Sequence, residues 1–264
     1  MREIDFYLVD AFSDKTFGGN AAAVCPLEEW LPDETLLKMA QQHNQSETAF
    51  FVRTDSGFEL RWFTTLHEIN LCGHATLAAS HVIFEYLDYP HTEIRFSTRF
   101  VGELTVKRSG DWLTLNFPAW STEAVDNPPA ALFSALGIPE AKEVRVGRDY
   151  MVVLESQQQV EALTPDIGAM VPLDKMVCVT APGEGEYDFV SRFFCPGEGV
   201  PEDPVTGSTH SMLIPYWSER LGKTSLNARQ VSYRGGDLRC ELKGDRVLIG
   251  GQATLYLKGR IFLR

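Results

Sequence analysis

The chain has 264 residues, 44% hydrophobic and 11% aromatic, which is the composition of a folded protein with one large or two medium cores. Lysine and arginine total 24 against 36 aspartates and glutamates, a formal net charge of −12. That balance argues against nucleic acid or an anionic membrane surface as partner, because both need a basic footprint, but leaves a small anionic substrate open.

At the N-terminus Arg2 is followed at once by Glu3 and Asp5, which spoil the apolar run of a signal peptide. The longest uncharged run, residues 69–84, contains Gly73, His74 and His81 and is too short and polar to span a bilayer. Cys25, Cys72, Cys178, Cys195 and Cys240 form no C-x-x-C pair, so the expectation is reduced thiols in a cytoplasmic protein, without a disulfide frame, a thiolate metal site or a membrane partner.

In chain order, residues 4–9 and 21–25 read as strands around the turn Phe17-Gly18-Gly19-Asn20. Residues 33–43 read as a helix with Asp33 as its N-cap, broken by Asn44-Gln45-Ser46-Glu47. Residues 48–52 and 58–63 are strands joined at Ser56-Gly57, and a helix runs from Gly73 to about Leu87. Residues 94–97, 102–107 and 112–117 alternate as strands do, and 118–129 has a linker composition. A helix then ends at Gly137, strands follow at 144–146 and 150–155, and short helical pieces lie at 160–163 and 166–171. Strands at 176–180 and 188–194 lead to a helix from Gly207 to Leu221. Four closing strands are expected at 231–233, 238–243, 246–249 and 251–257.

Two stretches resemble each other. Arg61-Trp62-Phe63 precedes Cys72-Gly73-His74-Ala75-Thr76, and Arg192-Phe193-Phe194 precedes Gly207-Ser208-Thr209-His210. Aligning Gly73 with Gly207 sets His74 opposite Ser208, the pattern of an internal duplication. Each glycine opens a helix without a charged face, and such a helix is enclosed on all sides. The expected fold is α+β: two similar lobes, residues 1–118 and 119–264, each a mostly antiparallel sheet rolled around a central helix, with the last strands able to cross back. The active site is expected between the lobes, with Glu47 and Asp203 facing one another near the two helix starts. Free N–H groups at such starts suit an anion.

Several familiar motifs fail. Gly222-Lys223-Thr224 lacks the first glycine of a phosphate loop, since Trp217 stands there, and His67-Glu68 lacks the second histidine of a zinc protease, since Leu71 stands there. Neither G-x-S-x-G nor a Rossmann glycine set is present. Glu47, His74, Asp203 and Ser208 remain as titratable or hydroxyl groups at turns and helix starts. Singly, each has a bland explanation as a solvated carboxylate, a helix-end residue, a turn former or an N-cap. Together they offer two carboxylates able to exchange a proton with a carbon acid, beside two helix N-termini able to stabilise an enolate-like oxygen.

Residues 44–50 (Asn-Gln-Ser-Glu-Thr-Ala-Phe), 72–76 (Cys-Gly-His-Ala-Thr) and 202–210 (Glu-Asp-Pro-Val-Thr-Gly-Ser-Thr-His), with Phe17-Gly18-Gly19-Asn20, resemble the PhzF-like proteins of the phenazine-biosynthesis type, across nearly the whole chain and in the same order. The resemblance implies the diaminopimelate-epimerase fold and an isomerase, commonly a homodimer, that uses no cofactor and no metal. By that resemblance Glu47 is the base, His74, Asp203 and Ser208 position substrate and assist proton movement, and Asn20, Gly73 and Gly207 bind substrate. Partial burial is expected to bring the Glu47 carboxyl nearer neutrality than its free value. The alternatives are a small-molecule-binding protein without turnover, or an amino-acid epimerase or racemase using two thiols. For the latter Cys72 is suggestive, but the Gly207 motif has no cysteine, and Cys195 reads as a packing residue. The pattern departs from the commoner one at Ala21, where proline is frequent, and at Cys195, where alanine is usual.

Overall fold

A computed structural model describes residues 1–264. The chain forms two compact units, one of Met1–Phe117 with Gly250–Arg264 and one of Pro118–Ile249. No helix is long and apolar enough to cross a membrane.

In the first unit β1 (Arg2–Ala11) and β2 (Asn20–Leu27) pair antiparallel. Gly19 between them has φ +60, and a Cβ there would lie 2.0 Å from Ala11 O, so the turn needs glycine. Helix α1 (Asp33–His43) follows, with Pro32 at the N-cap in place of the expected Asp33. Asp33 and Glu34 instead occupy the first turn, where their charge suits the dipole. Asn44 ends the helix in the left-handed conformation, its N–H bonded to Ala40 O at 3.1 Å. Strands β3 (Thr48–Thr54), β4 (Gly57–Phe63) and the short β5 (Glu68–Ile69) lead into helix α2 (Gly73–Tyr86), and β6 (Glu93–Thr98), β7 (Gly102–Ser109) and β8 (Trp112–Pro118) complete the run. The last strand of the chain, Ala253–Leu263, pairs with β1 along its length.

Every residue of α2 from Gly73 to Ser80 is buried, as the uncharged sequence requires. Fully burying Leu77, Val82 and Ile83 contributes about 1.5–3 kcal/mol each. The two hydroxyls inside this apolar helix bond back one turn: Thr76 Oγ1 donates to Cys72 O at 2.5 Å and Ser80 Oγ to Thr76 O at 2.8 Å.

The second unit opens with β9 (Glu123–Ala124) inside the expected linker, then α3 (Ala130–Leu136), which Gly137 ends at φ +69. Strands β10 (Glu143–Val146) and β11 (Tyr150–Val153), short helices α4 (Gln157–Glu161) and α5 (Ile167–Met170), and strands β12 (Val177–Pro182), β13 (Phe189–Cys195) and β14 (Val200–Asp203) follow. The expected helix from Gly207 begins as a 3-10 turn, Gly207–Thr209, and becomes α6 (His210–Leu221). Pro215 sits inside α6 and can give no N–H to Ser211 O, and the Trp120 N–H takes that carbonyl instead, at 2.8 Å. The strand expected at 231–233 lies earlier, as β15 (Ser225–Gln230), followed by β16 (Gly236–Lys243) and β17 (Arg246–Gly251). The core gathers Leu132, Val152, Val179, Val190 and Phe194.

The two units repeat one wiring. In the first, β2–β3 is parallel, β3–β4 and β4–β5 antiparallel, β4–β6 parallel and β6–β7 antiparallel. In the second, β11–β12 is parallel, β12–β13 and β13–β14 antiparallel, β13–β15 parallel and β15–β16 antiparallel. The enclosed helix falls after the third of these pairings in both. Arg61 grips Glu68 with two bonds of 2.7 Å and lies over Phe63, and Arg192 grips Glu202 at 2.8 and 2.9 Å and lies over Phe194. Each glutamate stands at the same remove from its helix-opening glycine.

Candidate active site

His74 is the hub of the first unit. As the second residue of α2 it is fixed by the helix start and is 3% exposed. Its two ring nitrogens face different groups. Nε2 lies 3.2 Å from Glu47 Oε2 and 3.5 Å from Ser46 Oγ, while Nδ1 lies 3.1 Å from the Asn20 side-chain amide and 3.5 Å from Cys72 Sγ. Asn20 arrives as the first residue of β2, held by the Gly19 turn and by Asp10, whose carboxylate accepts the Phe17 N–H at 2.8 Å. Glu47 arrives in the segment between the Asn44 helix stop and β3, its carbonyl accepting the Ala23 N–H at 3.3 Å.

Burial works against the charge on Glu47, but the adjoining His74 outweighs it and holds the carboxyl below its usual range. The expectation of a carboxyl raised toward neutrality is therefore corrected: it counted burial and not the imidazole. Burial also opposes the His74 cation, while Cys72 and Glu47 at the ring edges raise it well above its usual value. Burial pushes the Cys72 thiol up, so at neutral pH it is uncharged and the anion that His74 answers is Glu47. Glu47 Oε2 is buried and receives no aligned hydrogen bond, so a lone pair remains free to take a proton.

Glu47, Cys72 and His74 bring a carboxylate, a thiol and an imidazole within 4.8 Å of one another, a donor set known in divalent metal sites. The thiol meets Nδ1 and the carboxylate meets Nε2, on different edges of one ring. An ion takes only one ring nitrogen, so this arrangement suits the passage of a proton through the imidazole better than convergence on a metal.

In the second unit Asp203 ends β14, half-buried, and its Oδ2 accepts the Thr206 hydroxyl at 2.5 Å. Gln230, fully buried at the end of β15, clamps the loop: its Oε1 accepts the Thr206 N–H at 2.8 Å and its Nε2 donates to Asp203 O at 2.6 Å. Ser208 lies in the Gly207–Thr209 turn, 8% exposed, and its Oγ accepts from Arg148 Nη1 at 2.8 Å. His210, fully buried, donates from Nδ1 to Thr206 O at 2.9 Å, and burial pulls its pKa down to about 4.

Asn20, Glu47, Gly73 and His74 thus meet within the first unit, and Asp203, Gly207 and Ser208 share one segment of the second. The sequence reading passed over Arg148, Asp149, Thr206 and Gln230. A charged pair in the short β10–β11 connection looks like an ordinary solvated turn, and Gln230 fell in a stretch read as loop. No spacing marks either.

The sequence matches the family described as phenazine biosynthesis-like protein, PhzC-PhzF, over residues 9–259. It is 48% identical over 262 residues to an uncharacterized isomerase of Pseudomonas aeruginosa, covering 99% of this chain and 100% of the relative. A crystal structure of a PhzF-family phenazine biosynthesis protein from Enterococcus faecalis superposes with a TM-score of 0.94 at 44% identity, covering 99% of this chain and 100% of that one. A hydroxyproline epimerase from Agrobacterium vitis shares the fold at 11% identity with a TM-score of 0.60, covering 99% and 91%. Two units of like wiring, each with a mostly antiparallel sheet and an enclosed helix, are the α+β arrangement of the diaminopimelate-epimerase type. On these matches the chain belongs to the phenazine biosynthesis-like PhzC-PhzF family.

Proposed function

We propose that this protein is a cofactor-independent isomerase of a small carboxylated substrate, moving a proton from one carbon to another by acid/base chemistry, as in a dihydro-hydroxyanthranilate isomerase. The observation that carries the reading is Glu47 Oε2, buried, without an aligned donor and 3.2 Å from His74 Nε2. Glu47 is ionised beside the His74 cation and takes the proton of an acidified C–H. The freed electron pair enters the substrate's conjugated system, and the Glu47 carboxylic acid returns the proton at the second carbon. His74 steadies the carboxylate between the two transfers, and Asn20 fixes the ring. By the family resemblance Asp203 and Ser208 are positioning and proton-assisting groups, and the Gly73 and Gly207 N–H groups bind anionic oxygens of substrate. The names of the relatives support an isomerase, and the family resemblance of these motifs supports the residue roles. The same resemblance supports a homodimer, and the five cysteines without a C-x-x-C pair support the cytoplasm.

Incubating the protein with a panel of small carbon acids in heavy water is the test. Deuterium enters a product carbon with the native protein, and Glu47→Gln stops the exchange while leaving the circular dichroism spectrum unchanged. Full exchange in the Gln variant would reassign the base, and no exchange on any carbon acid would favour a binding protein. The Cys72 Sγ distance of 3.5 Å from His74 Nδ1 favours a second reading, an epimerase that uses the thiol. Loss of exchange on alkylating Cys72, with Glu47→Gln still active, selects it.

A further inference from the structure

Arg148, 31% exposed, is gripped by groups of its own unit. Its Nε donates to both oxygens of Asp149 at 3.0 and 2.9 Å, and Nη2 donates to Asp149 Oδ2 at 2.5 Å. The guanidinium lies over the Trp120 ring at 5.0 Å and the Phe193 ring at 6.0 Å. Trp120 is itself tied to α6 through the Ser211 carbonyl that Pro215 leaves open. Asp149 is fully buried, so the carboxylate that aims the guanidinium has no other position to take. What remains is Nη1, directed at Ser208 Oγ.

A guanidinium has donors and no acceptor, so Ser208 Oγ accepts this bond and its own proton must point elsewhere. The serine is left as a donor, polarised by a cation, and is unsuited to act as a base. The repeat supplies an independent reason to give this weight. Arg61 faces Phe50 across β3–β4, and Arg192 faces Val179 across β12–β13. In the adjoining parallel pairs Phe50 lies beside Cys25, and Val179 beside Val152. Carrying that register back along β2 and β11 sets Asn20 against Gly147, the neighbour of Arg148. Asn20 bonds the residue after the first helix-opening glycine, His74, and Arg148 bonds the residue after the second, Ser208.

We propose that Arg148, locked by Asp149, is a positioning residue that fixes the Ser208 hydroxyl as a hydrogen-bond donor to a carboxylate or enolate oxygen of the substrate. This deepens the isomerase reading and rests on it for the identity of the bound group, but its test measures equilibrium binding and needs no proton transfer. The probe is oxalate, a planar dianion, titrated into 15N-labelled protein and followed at the Gly207 and Ser208 amide resonances. Arg148→Ala weakens oxalate about tenfold or more, the size expected for losing a charged hydrogen bond. Arg148→Lys retains part of the affinity, and low-millimolar guanidinium restores binding to Arg148→Ala, a rescue that a merely structural role does not give. Asp149→Asn weakens binding while the melting temperature identifies any variant that has unfolded. The titration reads binding and the heavy-water exchange reads proton transfer, so the two readings can fail separately. Native-like affinity in folded Arg148→Ala, or no oxalate-induced shift at Ser208 in the native protein, overturns the assignment.

Discussion

A single imidazole holds the charge on Glu47, the proposed base, and its removal has a definite sign. With His74 present, Glu47 is held below its usual range, and without it burial, the largest influence and one that raises a carboxyl, is opposed only by the Ser46 hydroxyl. His74→Asn therefore moves the Glu47 carboxyl upward, and the acid limb of deuterium exchange moves to higher pH with it. A carbon-detected titration of the Glu47 carboxyl measures the shift directly; an unmoved or lowered value would mean that His74 does not control Glu47. His210 makes the opposite kind of statement. It is neutral in the fold, with a pKa of about 4 against 6.5 unperturbed. A depressed folded value means that the unfolded chain binds more protons between those limits, so stability is present above pH 6.5 and is lost as pH falls toward 4. The full difference is roughly 3 kcal/mol. His43, also lowered to about 4 by burial, adds to the same slope. Urea midpoints measured across that window fall with pH, less steeply in His210→Gln; equal slopes would place the titration elsewhere. At this scale Glu47, His74 and Ser208 were legible because each sits in a motif of unusual residue types at a turn. Arg148 and Gln230 were not, because their roles come from partners distant in sequence.

Among the elements, the braces ahead of the enclosed helices are the most informative. Arg192 and Glu202 are largely buried, at 12% and 17% side-chain exposure, and bonded twice. Removing one partner of such a pair leaves the other charge buried, so Arg192→Ala is expected to cost about 3 kcal/mol, and Arg192→Ala with Glu202→Ala less than that. Chemical denaturation of both variants decides it: a double variant worse than the single would show a net attraction beyond relief of a stranded charge. The order of strands and helices was readable from alternation, glycine stops and the two uncharged runs. The short strands β5, β9 and β14 were not, since two to four residues carry no period. The strand misplaced at 231–233 has the same origin: Ser225–Gln230 is mostly polar, and its place is fixed by pairing with β13 and β16 rather than by its own residues.

For the whole molecule the repeat is complete in wiring and unequal in chemistry. The register that matches Arg61 with Arg192 puts Met176 where the first unit has Glu47. One copy thus keeps a carboxylate–imidazole pair, and the other carries a cation that turns a serine into a donor. The chain also closes on itself, because Ala253–Leu263 returns to pair with β1 from Arg2 to Ala11, while 118–249 forms its own unit. Ending the chain after Ile249 strips β1 of a partner along its whole length and exposes Ile4, which is 4% exposed in the native fold. Backbone groups that lose a ladder partner turn to water, and an open β1 edge becomes a site for self-association. The second unit keeps all its ladders from β9 to β16. Hydrogen exchange on the truncated chain is thus expected to show protection retained in β11–β13 and α6 and lost in β1 and β2. Uniform loss across both would mean that the two units unfold as one, and uniform retention would mean that the returning strand contributes nothing to the first.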